Sequence, residues 1–187
     1  MLFNAPPGDW AAGERGLAAL PGRDAECANG IARALDYAAV LGCSRVHVMA
    51  GIGGKRATYV ANLQRAVAAA MGVTLLIEPI GSATMPGYHL HDFADARRVA
   101  AQVPGLRVQA DLFHIDSEGG DVAALLQASL TDVGHVQVAA PGDRGEPDTA
   151  QCARWFATLD RLGYDGWVGC EYRPRGRTED GLGWLPR

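Results

Sequence analysis

Apolar positions along this chain follow two alternating rhythms. Short β-branched runs recur at Arg45–Met49 (RVHVM), Val73–Ile77 (VTLLI), Arg107–Phe113 (RVQADLF), His135–Ala139 (HVQVA) and Gly166–Tyr172 (GWVGCEY). Each predicts a strand, and the last should be buried. The intervals carry helical spacing. Cys27, Ile31, Leu35, Ala38 and Leu41 share one face, and Gly42 is a natural stop. Val60, Leu63, Val67 and Ala70 form a second face, and Phe93, Ala96, Val99 and Val103 a third. Val122, Leu125 and Leu126 form a shorter one. Phe156, Leu159 and Leu162 form the last, closed by Gly163.

Strand–helix alternation implies parallel βαβ units with right-handed crossovers. The strands repeat about every 30 residues, as such units require. No linker or low-complexity stretch interrupts them, so residues 1–187 read as a single α/β domain. Two architectures fit, a doubly wound open sheet and a (β/α)8 barrel. A doubly wound dinucleotide fold wants GxGxxG after its first strand. The nearest match, Gly51-Ile52-Gly53-Gly54, lacks that pattern and reads as a loop. A barrel instead predicts polar groups at the C-terminal ends of several strands.

Composition adds mainly exclusions. Seventeen Lys and Arg stand against twenty-one Asp and Glu, a net charge of −4 with no basic tract. That speaks against nucleic acid as a partner. No apolar run is long enough to span a membrane, and the opening MLFNAPPGDW does not read as a signal peptide. Cys27, Cys43, Cys152 and Cys170 form no CxxC pair. They are expected to be reduced, mostly buried thiols in a cytoplasmic protein.

Polar residues do stand at the expected strand ends: His47, Glu78, Asp111 and Glu171, with His114 three residues past Asp111. His135 opens its strand. Buried carboxylates without partners cost several kcal/mol, roughly. Several of them converging on one pole would repel one another unless a cation sat among them. Oxygen-rich sites with one His suit Mg²⁺ or Mn²⁺, with Zn²⁺ or Co²⁺ as alternatives. His89 and His91 lie near a loop and are weaker candidates.

The segments LFNAPPGDWAAGERGLAALPGR, RVHVMAG, TLLIEPI with MPGY, ADLFH, GHVQVA, GEPD and LGYDGWVGCEYRPRG, in this order, resemble the hydroxypyruvate isomerases. That group belongs to the xylose-isomerase-like (β/α)8 barrels, alongside the ketose 3-epimerases. The resemblance implies a divalent-metal site of Glu78, Asp111, His135 and Glu171, with Glu78 and Glu171 as the acid–base pair. It implies that His114, His47, Arg144 and Glu146 line a pocket for a small hydroxy-keto acid, converted through an enediolate. Arg144 suits a substrate carboxylate because a guanidinium binds one in bidentate fashion. A ketose 3-epimerase uses the same ligand pattern and is the alternative. The stretch Asp148–Cys152 is shorter and less acidic than the group's pattern, which puts a pocket-edge contact in doubt.

The chain should be an incomplete (β/α)8 TIM barrel. At about 30 residues per unit it holds six units, whereas a full barrel needs about 250 residues. Met1-Leu2-Phe3 would be the stub of a strand, and the first two units would be missing. Such a sheet leaves edges exposed, which favours a homo-oligomer or aggregation and raises the alternative of a non-catalytic fragment.

Overall fold

The computed structural model describes residues 1–185 and divides into two compact units, Met1–Gln109 and the segment from Ala110 onward. The boundary falls inside a strand, so no linker separates them.

The first unit contains β1 (Phe3–Asn4), α1 (Asp24–Leu41), β2 (Arg45–His47), α2 (Arg56–Ala69), β3 (Thr74–Ile77), α3 (Phe93–Gln102) and the start of β4 (Arg107–Asp111). Its strands are parallel and lie in chain order, with registers Phe3↔Val46, His47↔Leu76 and Ile77↔Val108. Val46, Leu75, Leu76 and Ile77 are fully buried. Each large apolar side chain so buried contributes about 1.5–3 kcal/mol of transfer free energy.

The three helices of this unit follow the predicted pattern, with a shifted face in two of them. In α1 the buried stripe is Cys27, Ile31, Ala34 and Ala38, while Leu41 is exposed. Gly42 ends the helix in the left-handed region at φ 61°, its N–H donating to Ala38 O. In α2 the buried stripe is Tyr59, Asn62, Leu63 and Ala66, so Val60 and Val67 sit at its margins. Asn62 is inside because its Nδ2 donates to Ala18 O at 2.8 Å, pinning the long loop that follows β1. That loop lies close against the segment after β2. Gly16, at φ +113°, meets Met49 there with no room for a side chain. In α3 the expected face is the buried one, and Asp92 caps it by accepting from Asp95 N at 2.7 Å.

The second unit holds the end of β4, α4 (Leu112–Ser117), α5 (Val122–Ser129), β5 (Val133–Val138), α6 (Thr149–Arg161), β6 (Val168–Cys170) and a short 3₁₀ helix, Thr178–Trp184. The strand expected to run through Phe113 stops at Asp111. Its Oδ1 accepts from Phe113 N at 3.0 Å, and this cap turns the chain into α4. Cys152, Trp155 and Leu159 form the inner face of α6, while Phe156 and Leu162, expected there with Leu159, are only half-buried. β5 and β6 pair in parallel, Val136↔Val168 to Val138↔Cys170. β6 is not the buried strand its apolar sequence suggests. Val168 and Gly169 are half-buried, Cys170 is exposed, and Trp167 is 78% exposed. β5 supports one of its edges, and no other strand pairing of β6 occurs among the described residues.

Candidate functional site

Each unit carries polar side chains immediately after its strands. In the first unit, β2 ends in His47 and β3 leads directly into Glu78, and both are buried. His47 Nδ1 donates to Asn4 Oδ1 at 3.1 Å, so the stub strand β1 orients the imidazole. Glu78 Oε2 lies 3.7 Å from the same nitrogen. Burial pushes the His47 pKa down to about 4, so the ring is neutral and the pair is not an ion pair at neutral pH. With Nδ1 protonated, Nε2 is a buried acceptor with no hydrogen-bond partner among the described residues. Tyr88 closes this region by accepting from Ala50 N at 2.8 Å. Burial raises its pKa, and the nearby Glu78 charge adds to the rise.

In the second unit the ends of β4, β5 and β6 converge on one arginine. Arg144, in the loop after β5, donates from a single nitrogen, Nη2, to Asp111 Oδ2 and to Glu171 Oε2, each at 3.0 Å. Its Nε donates to the Glu171 carbonyl at 3.3 Å, and its guanidinium rests 4.9 Å from the Phe113 ring centre. Arg144 is the one non-glycine residue of positive φ among the described residues, at 54°. Asp111 is fully enclosed. Burial pushes its carboxyl up to about 6; Arg144 opposes that rise and the Glu171 charge adds to it. His114, on the first turn of α4, places Nε2 3.7 Å from Asp111 Oδ2. Burial, reinforced by Arg144, lowers its pKa to about 4, so it too is neutral.

Glu171 differs from the buried carboxylate its strand suggests. Its side chain is 51% exposed, because β6 is itself open on one side. Its backbone N–H continues the β5 pairing by donating to Val138 O at 3.1 Å.

His135 lies within β5 and Glu146 in the loop that follows it. His135 occupies the first half of β5, with its imidazole over Gly169, two residues before Glu171. Gln137 is buried on the same strand face, one pleat step nearer the C-terminal end, opposite Gly169 in register. Sequence reasoning passed it over because an amide in an apolar strand carries no charge signal. Glu146 accepts from Arg175 N at 2.8 Å and pairs with Arg175 Nη1 at 3.1 Å. It ties the loop after β5 to the loop after β6. Asn4, which orients His47, was also missed. It lies in the two-residue β1, too short for any periodic signal.

Glu78, Asp111 and His114 are buried groups of the types that hold a divalent ion. These donor types suit such an ion, and Arg144 shows that the acids at the ends of β4 and β6 already attract a cation.

A model of the xylose isomerase-like TIM barrel family matches residues 2–187. The chain is 51% identical to the 2-oxo-tetronate isomerase of Cupriavidus necator, across 98% of this chain and 76% of that protein. It is 38% identical to the hydroxypyruvate isomerase of Escherichia coli, with the same two coverages. Among solved structures, AP endonuclease, family 2, from Brucella melitensis superposes with a TM-score of 0.94 at 42% identity, covering 98% of this chain and 76% of that one. The parallel strands in chain order, the strand-end acids and these similarities agree, and the chain belongs to the xylose isomerase-like TIM barrel family.

Proposed function

We propose that this chain is a divalent-metal-dependent isomerase of short 2-oxo-3-hydroxy carboxylates, with hydroxypyruvate, giving tartronate semialdehyde, as the leading substrate. The observation that carries this reading is the acid–arginine cluster of Asp111, Arg144 and Glu171 at neighbouring strand ends. The relatives named above support the substrate class. Hydroxypyruvate and 2-oxo-tetronate share a ketone beside a carboxylate and a hydroxyl on the next carbon. In both, isomerisation moves one proton between adjacent carbons and so moves the carbonyl.

Glu78, Asp111 and Glu171 would supply carboxylate ligands, and β5 a further one from the face shared by His135 and Gln137. Mg²⁺ and Mn²⁺ suit that oxygen-rich set best, with Zn²⁺ and Co²⁺ as alternatives. A bound ion supplies Lewis-acid stabilisation of the negative charge that develops on the substrate oxygens. Glu78 and Glu171 are the proton carriers, one removing the proton and the other returning it at the neighbouring carbon. Neutral His47 offers its Nε2 lone pair to a substrate hydroxyl. His114, also neutral, stands beside Asp111 as a second pocket imidazole. Arg144 reads the substrate carboxylate. Glu146 acts one step back, holding Arg175 and with it the loop after β6.

The name of the Brucella structure raises a nucleic-acid reading. Phosphate-backbone binding needs concentrated positive charge. Here the net charge is −4 and the sequence holds no basic tract. The isomerase reading is therefore preferred. Glu78→Gln and Glu171→Gln test it: each should abolish turnover of hydroxypyruvate while leaving the circular-dichroism spectrum unchanged. Near-full activity in Glu171→Gln would exclude Glu171 as proton carrier.

A further inference from the structure

Arg144 contacts the acids through one nitrogen placed 3.0 Å from both Asp111 Oδ2 and Glu171 Oε2. Both carboxylates belong to the ligand set proposed above for a divalent ion. An ion bridging the same two oxygens would compete with the guanidinium nitrogen for them. We propose that Arg144 is an exchangeable internal cation: it holds Asp111 and Glu171 together until a divalent ion replaces it, and the released guanidinium then takes the substrate carboxylate. This rests on the metal-site reading above.

Three features of the site support exchange rather than a fixed salt bridge. First, Asp111 is fully enclosed, so leaving it without a cation is costly. Arg144 can depart only as another positive charge arrives, which makes the exchange close to one-for-one. Second, the backbone around Arg144 is held by contacts of its own, separate from those of the guanidinium. Its carbonyl accepts from Arg173 N at 2.7 Å, and the following Gly145 N–H is held by Asp143 Oδ1 at 2.8 Å. The Arg144 side chain is 22% exposed and borders the half-open Glu171, so solvent reaches it from that side. Third, the Phe113 ring already lies beside the guanidinium and gives it a second resting surface once the acids are lost.

Exchange makes the ion and the substrate carboxylate cooperative. The ion frees the arginine that the carboxylate needs, and a carboxylate drawing Arg144 away frees the oxygens that the ion needs. Linkage requires the two effects to be equal in size.

The test uses the wild-type chain. Phenylglyoxal labelling of Arg144 is followed by peptide mass spectrometry with and without saturating Mn²⁺, and Arg175, paired with Asp143 and Glu146, is the internal control. Calorimetry measures Mn²⁺ binding to wild type and to Arg144→Lys in parallel. Mn²⁺ should speed labelling of Arg144 about fivefold or more, leave Arg175 unchanged, and bind the lysine variant more tightly, because an ammonium loses the guanidinium's contacts to the Glu171 carbonyl and the Phe113 ring. If Mn²⁺ binds and Arg144 labelling stays the same or slows, exchange is wrong and the metal site stands. If Mn²⁺ does not bind either protein, the metal site fails and the exchange fails with it.

Discussion

Replacing His47 with asparagine should flatten the acid side of the stability profile. His47 is enclosed, and burial brings its pKa from 6.5 to about 4. In the unfolded chain the imidazole takes up a proton as pH falls below 6.5; in the folded chain it does not until about pH 4. Between those values the unfolded state binds more protons, so stability falls as pH falls. The full difference is worth about 3 kcal/mol, of which about 2 kcal/mol is already lost near pH 5. The substituted amide cannot titrate, yet it can still donate to Asn4 Oδ1. Urea unfolding of wild type and His47→Asn, in chelator, at pH 7 and near pH 5, gives the slope of each. Asp111 titrates across the same window with the opposite sign: its raised pKa gives stability at low pH that is lost as pH rises toward 6. Both proteins carry Asp111 and His114, so their contributions cancel in the difference. Wild type should lose about 2 kcal/mol more than the variant on acidification. Equal slopes would mean that His47 is solvated or already protonated, and the neutral acceptor at Nε2 would be refuted.

Two further outcomes follow from the packing. Gly16→Ala should destabilise by about 3 kcal/mol or more, since φ is +113° and a Cβ would run into the Met49 backbone, and a thermal melt within a few degrees of wild type would contradict that contact. Iodoacetamide should label exposed Cys170 well before Cys27 and Cys152, whose thiols are buried with their pKa pushed up to about 11; mass spectrometry showing early Cys27 labelling would contradict the packing of α1.

The periodic elements were legible in the sequence because period and burial are the same physics. The face of α3 and the stop at Gly42 are read correctly for that reason. The end of β4 was not, because Leu112 and Phe113 continue an apolar run. Only the side-chain cap from Asp111 to Phe113 N shows that the strand has become a helix. The strand-end acids were visible as charges in apolar surroundings. Their partners were not, since Arg144 reaches Asp111 across 33 positions of sequence. Glu171 was expected to be buried from its neighbours in WVGCEY. Its exposure depends on what pairs with β6, which no local pattern records. That Gln137 stands opposite Gly169 is likewise a property of the β5–β6 pair.

The most direct measurement of the central claim is product formation by the chelator-stripped chain, followed by NMR. Hydroxypyruvate, 2-oxo-tetronate and fructose are supplied separately, each with and without Mn²⁺ or Mg²⁺. Metal-dependent isomerisation of a 2-oxo-3-hydroxy acid is expected, with fructose left unchanged. Consumption of fructose alone, or equal turnover of hydroxypyruvate with and without the ion, would contradict it.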